Sequence, residues 1–264
     1  MSLSHDGSLS AAELSAYLGS LLDGASRGEG PPPRAAPRPG PTRSNPPVPR
    51  APPTAGLVLV RDSALLQGSF LPFLFLRAAL DAGGTAVFVA TETSEADVER
   101  VARKAGVGAG ALRDRARVVA LSEGSPWEEE GWLQGVAGRV GAAVAELAGR
   151  AGPATVVVEC LSTLGYCARR GEEGDVVRLA MQLRGADGVG ATVALVHRDT
   201  CAGSPWGLQL EAGAACCVDV LPLEAGHAGD VTGRLEVVRH RGAGERRRLL
   251  FQAGQGGVRV RERA

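Results

Sequence analysis

The stretch from Gly56 to Phe70, GLVLVRDSALLQGSF, has the form of an apolar strand, a turn and the opening of a helix. At such a junction a phosphate-binding loop carries G-x-x-x-x-G-K-[ST]. The loop amides close on the phosphates, the lysine supplies an ammonium, and the hydroxyl ligates Mg²⁺. Aligned on Gly68, the first glycine is Ser63, the lysine is Ser69 and the hydroxyl residue is Phe70. Ser69 carries no ammonium and Phe70 no oxygen. The outline of the loop is present and its chemistry is missing. Backbone amides between Ser63 and Ser69 at a helix N-terminus could still attract an anion, which keeps an irregular NTPase open as an alternative.

The second candidate is Glu159. Val156 to Glu159 is an apolar run ending in a carboxylate, the Walker B pattern, whose acid orders Mg²⁺ through water. Magnesium leans mostly on nucleotide phosphates, so without the lysine and the hydroxyl Glu159 is poorly placed to recruit it. A structural acid at the end of a strand is the favoured reading, and Cys160 follows where a second carboxylate would be more useful. Four histidines are present, at 5, 197, 227 and 240, and none pairs at i, i+4. His197 closes an apolar run and so sits where a ligand site on the crest of a sheet would be, although a hydrogen-bonded strand-end histidine is favoured. The five cysteines include no C-x-x-C. Buried reduced thiols are expected rather than redox or metal chemistry. No catalytic residue, metal or cofactor is expected.

Nucleic acid would have to be held locally, because 29 basic and 29 acidic residues leave no net charge. Two segments could do it. Tyr166 to Asp175 (YCARRGEEGD) follows the Glu159 strand, and Arg198 to Gly207 (RDTCAGSPWG) follows the strand ending in His197. Arg169, Arg170 and Arg198 are the candidate phosphate contacts, with Tyr166 or Trp206 to stack on bases.

These residues need a scaffold, and the hydropathy pattern supplies one. Apolar runs at Leu57–Val60, Thr85–Ala90, Ala116–Leu121, Ala154–Leu161 and Ala191–His197 alternate with helical spacing at Ser69–Asp81, Glu95–Ala105, Leu133–Leu147 and Asp175–Arg184. Strands apolar on both faces and separated by helices predict a parallel sheet covered on both sides. Ala215–Pro222, Gly233–His240, Arg246–Gln252 and Val258–Arg261 are short strands divided by glycine-rich turns, which predicts an antiparallel extension. The fold class is therefore α/β, and a mostly parallel sheet with flanking helices and a C-terminal antiparallel extension is the RecA-like layout. The Arg246–Arg248 cluster is expected on an exposed edge, where basic residues discourage edge-to-edge pairing. Ahead of this domain (56–264), residues 1–24 hold an amphipathic helix over Ser10–Leu22 with a capping box at Ser10 and Glu13. Residues 25–55, rich in proline and arginine, read as a disordered linker. No apolar run is long enough to span a bilayer, and the N-terminus lacks the basic-then-apolar pattern of a secretory signal.

Three segments together resemble the sixth subunit of the Elongator complex. They are Gly56 to Ala90, with the D-S-x-x-x-x-G-S-F junction anchored on Asp62, Gly68, Ser69 and Phe70, then Val156 to Leu164 with V-V-V-E-C-L-S-x-L, and Leu221 to Leu235 with Gly226, Asp230, Val231, Gly233 and Leu235. They span most of residues 56–260. Glu159-Cys160 stands where two acidic residues are expected, and His227-Ala228 also departs from the pattern. The resemblance implies a RecA-like subunit without ATPase motifs. It would alternate with Elongator subunits four and five in a hetero-hexameric ring that binds tRNA during wobble-uridine modification. A cytoplasmic location follows from it, with a nuclear one left open. A degenerate P-loop NTPase and a RecA-like recombination paralogue acting on DNA remain the alternatives.

Overall fold

The computed structural model describes residues 8–9, 11–26, 56–121, 127, 129–150, 152–168, 173–224, 231–240, 246–254 and 257–262. Most of the stretch read as a linker lies outside them, as do Arg169, Arg170 and residues 225–230.

The strands are β1 (Ser8–Leu9), β2 (Gly56–Asp62), β3 (Ala86–Ala90), β4 (Ala116–Ala120), β5 (Ala154–Val158), β6 (Val189–His197), β7 (Cys216–Leu221), β8 (Gly233–Arg239), β9 (Arg246–Gly254) and β10 (Gly257–Glu262). They form one sheet in the order β1-β10-β9-β8-β7-β2-β6-β5-β3-β4. From β7 to β4 every pairing is parallel, and from β7 through β10 to β1 every pairing is antiparallel. The expected mostly parallel sheet with an antiparallel extension is what forms.

The helices are α1 (Ala11–Ser26), α2 (Leu71–Asp81), α3 (Glu95–Lys104), α4 (Ala109–Arg115), α5 (Trp132–Leu147), α6 (Leu161–Cys167), α7 (Glu173–Gly185), α8 (Arg198–Cys201) and α9 (Pro205–Gly213). Alternation along β2 shows how they cover the sheet. Val58 and Val60 join the core beneath α1 to α4, whereas Leu57 and Leu59 join the core beneath α5, α6, α7 and α9. Both faces are dry, as a parallel sheet of continuous apolar strands requires. α1 buries Tyr17, Leu18, Leu21 and Leu22 in the first core, and Ser15 Oγ donates to Asp81 Oδ2 at 2.9 Å. That contact with α2 stabilises a helix too short to persist alone.

Several expectations need correction. The N-terminal helix continues past Gly24 to Ser26. Leu161 opens α6 instead of ending β5, and the segment from Arg198 to Gly207, to which no helix was given, forms α8 and the start of α9. Arg246, Arg247 and Arg248 are not on an edge, because β9 lies between β8 and β10. Arg246 and Arg248 reach the buried Glu236 at 2.6 and 3.0 Å, and the Arg247 guanidinium lies 5.3 Å from the Tyr17 ring centre. Burial alone would raise the Glu236 carboxyl, but the two guanidiniums hold it below the usual carboxylate range.

Candidate functional site at the crest of the sheet

β2 delivers Asp62 to the C-terminal edge of the parallel strands, where the chain turns toward α2. The Asp62 side chain is fully buried, and its Oδ2 accepts from the Gly68 N–H at 2.6 Å. Ser63 and Leu66 exchange backbone hydrogen bonds at 3.3 and 3.0 Å, closing the intervening residues into a tight turn. The Ala64 N–H is given to Asp199 Oδ2 at 2.6 Å. Gly68 lies so close to β7 that an added Cβ would be 2.8 Å from Val220 Cγ2 and 3.2 Å from Asp62 Cβ. A phosphate-binding loop presents its amides to an outside anion. Here two of those amides, at Ala64 and Gly68, face carboxylates of the same chain, and Ser69 and Phe70 stand at the lysine and hydroxyl positions.

Phe70, whose ring lies beneath this loop, is only half-buried against the core. It is the N-cap of α2, in helical backbone, and its ring meets Phe251 at 5.4 Å between centroids. Phe70→Ala is therefore expected to cost about 2 kcal/mol, below the ~3–5 kcal/mol of a fully buried phenylalanine. Urea denaturation would read the difference.

Glu159 is held as a structural acid. Its Oε2 accepts from three successive amides, Thr91 at 2.8 Å, Glu92 at 2.9 Å and Thr93 at 3.2 Å. These belong to the turn between β3 and α3. Ser94, the next residue, caps α3 by accepting from the Asp97 N–H at 3.2 Å. The carboxylate clasps the neighbouring loop instead of standing open to solvent.

Between these two acids the fold assembles a cluster that the sequence reading did not bring together. In the sheet order β2-β6-β5-β3, each strand ends at or within two residues of a polar side chain: Asp62, His197, Cys160 and Glu92. Asp62 Oδ1 lies 2.6 Å from His197 Nδ1, and His197 Nε2 lies 3.4 Å from Cys160 Sγ. The donor atoms of Glu92, Cys160 and His197 all lie within 4.8 Å of one another. His197 N–H donates to Ser162 Oγ at 2.8 Å, and the Glu92 carboxylate accepts from the Thr163 hydroxyl. His197 was correctly placed at the crest. Cys160 and Glu92 were missed as partners because they are neighbours only once the strand order is known. Asp–His–Cys in a row has the connectivity of a nucleophilic triad. However, burial pushes the Cys160 thiol up to about 11, so it carries little thiolate at neutral pH.

The architecture matches a known structure. A KaiC-like protein from the hyperthermophilic archaeon Pyrococcus horikoshii OT3 superposes with a TM-score of 0.53 at 13% identity, covering 79% of this chain and 90% of that one. The fold is RecA-like. No protein-family model matches the sequence, and neither does any curated protein.

In this RecA-like frame the candidate nucleic-acid contacts divide. Arg198 opens α8 with its guanidinium exposed, 4.0 Å from Asp219 Oδ1. Asp219 is already engaged by Arg61 through two bonds of 2.6 and 2.7 Å, which leaves Arg198 a weak partner for it. Arg169 and Arg170 lie outside the described residues. Tyr166 is 70% exposed on α6, and Trp206 on α9 comes close enough that a Cβ on Gly165 would sit 3.9 Å from its ring. The segments after β5 and β6 are therefore side by side, one carrying an exposed aromatic ring and the other an exposed guanidinium.

Among the described residues no helix is long and apolar enough to cross a membrane.

Proposed function

We propose that this chain is a non-catalytic subunit of a hetero-hexameric RecA-like ring belonging to Elongator. It alternates with subunits four and five and supports tRNA wobble-uridine modification by ring assembly and tRNA binding. The observation that carries the non-catalytic reading is the Asp62–Gly68 hydrogen bond, which puts an internal carboxylate on a loop amide that would otherwise be available to a phosphate. An incoming phosphate would meet the negative charges of Asp62 and Asp199 without a lysine to offset them. The assignment to Elongator rests on the three sequence segments, and packing gives two of them a shared purpose. Gly233 of the third lies under Leu66 of the first, where an added Cβ would come within 2.5 Å of Leu66 Cδ2 and 2.8 Å of Phe251 Cε1. The glycine lets the altered loop close onto β8 and β9.

Leu65, at the tip of that loop, is 88% exposed. A side chain so apolar and so placed suits contact with a neighbouring subunit. Leu65→Asp is expected to weaken ring assembly by about tenfold or more while leaving the melting temperature of the lone chain unchanged. Sedimentation of the reconstituted mixture would measure the first and calorimetry the second.

Co-expression with subunits four and five tests the reading as a whole. A ring-sized species that requires all three chains is expected, and a stable monomer indifferent to both partners would contradict it. On the assembled ring, replacing Arg169, Arg170 and Arg198 together with alanine is expected to weaken tRNA binding and flatten its dependence on salt by roughly one unit of slope for each lost phosphate contact. Unchanged affinity would sink the placement of tRNA at these arginines, and preference for DNA over tRNA would favour a recombination paralogue.

A further inference from the structure

The geometry points to a zinc-type divalent cation site formed by Cys160 Sγ, His197 Nε2 and a Glu92 carboxylate oxygen at the crest of the sheet. The distances fit. A tetrahedral Zn²⁺ with ligands at about 2.3 Å for sulfur and about 2.0–2.1 Å for nitrogen or oxygen has edges of roughly 3.3–3.6 Å. The Sγ–Nε2 separation is 3.4 Å, and the carboxylate lies within 4.8 Å of both. Closing that last gap needs a rotation of the exposed Glu92 side chain, with the Thr163 hydroxyl bond given up or shifted to its other oxygen.

The surroundings are arranged as metal ligands require. A metal-binding histidine commonly gives its other ring nitrogen to a carboxylate, which fixes the tautomer and the ring plane. Asp62 does this at Nδ1 over 2.6 Å and is itself anchored by the Gly68 amide. The His197 backbone is fixed by Ser162, and Cys160 is fully buried at the floor of the cluster. Glu159, through the amide of Glu92, holds the turn that carries the third ligand. Asp62 and Glu159 thus act on one cluster, Asp62 through the His197 ring and Glu159 through the Glu92 amide.

The donor set selects the ion. One thiolate, one imidazole and one carboxylate suit Zn²⁺ or its spectroscopic substitute Co²⁺, whereas Mg²⁺ and Ca²⁺ call for oxygen donors throughout. On binding, the Cys160 S–H bond breaks, sulfur keeps the electron pair and coordinates the cation, and one proton leaves to solvent. Three protein ligands leave a fourth position for water on the side where Glu92 and His197 meet solvent. The ion would tie together the ends of β6 and β5 and the turn after β3, independently of any nucleotide.

Cobalt titration of the full chain under reducing conditions tests this. One Co²⁺ per chain is expected, with thiolate-to-cobalt charge-transfer absorption and visible bands of tetrahedral intensity, both abolished by one equivalent of Zn²⁺. Cys160→Ser and His197→Ala are expected to lose the charge-transfer band and the tight site respectively, whereas Cys167→Ser is expected to keep both. Because Cys160 and His197 are packed positions, Glu92→Gln at the exposed ligand provides a variant that folds, with cobalt affinity expected to fall at least about tenfold. Absence of a thiolate band in the wild-type chain, its survival in Cys160→Ser, or an unchanged affinity in Glu92→Gln would overturn the site.

Discussion

Replacing Asp62 with alanine is expected to cost about 3–5 kcal/mol of folding stability, the range for breaking a buried charged interaction by removing one partner. The carboxylate is fully buried, and it joins two segments far apart in the chain through the Gly68 amide and the His197 ring. Truncation leaves the Gly68 N–H without its acceptor and the imidazole without its orienting partner. Little room exists for relaxation, because Gly68 is wedged between Asp62 and Val220. Asp62→Asn retains an acceptor of nearly the same shape and is expected to lose only about 1–2 kcal/mol. Denaturant midpoints with unchanged slopes would separate the two. A loss below about 1 kcal/mol for the alanine variant would mean that water replaces the carboxylate and that the loop is not closed around it.

Glu159→Ala is expected to destabilise the fold by about 2–4 kcal/mol, because three amides share one acceptor oxygen and the turn that carries them has no other described acceptor for the Thr91 N–H. Glu159→Gln keeps an oxygen but surrenders the charge, and about half of that loss is expected. Stability is the discriminating readout. A magnesium-ordering Walker acid would lose nucleotide turnover on conversion to glutamine with little change in stability. A clasp would lose stability in proportion to the acceptors removed. Amide hydrogen exchange at Thr91 and Glu92 should accelerate in both variants if the carboxylate holds them.

The parallel core was legible because its strands are mostly apolar runs, interrupted by little more than Arg117, Thr155 and Thr192, a pattern that suits burial on both faces. The defect in the phosphate loop was legible for a different reason: it depends on local spacing alone. What escaped was non-local. α9 carries one fully buried leucine, Leu210, and no amphipathic repeat that a window could detect. Arg246 and Arg248 of β9 looked like edge protection because their partner, Glu236, lies on the adjacent strand and is buried. Cys160, His197 and Glu92 are far apart in sequence and carry no motif. The recoverable signal was that each follows the end of an apolar run. Four polar residues at the ends of parallel strands must share one crest, and only the strand order then decides which of them touch.

In the loop after β2 the Asp62 carboxylate holds the Gly68 amide that a phosphate would otherwise meet, and the loop is expected to take no nucleotide. Titrating the full-length chain with Mg-ATP, followed by calorimetry and by thermal unfolding, tests that claim directly. No saturable heat and an unchanged melting temperature are expected up to millimolar nucleotide. Saturable binding tight enough to reach 100-fold excess over the dissociation constant would stabilise the fold by about 2.7 kcal/mol. A rise in melting temperature of that origin would show that the loop still takes a phosphate.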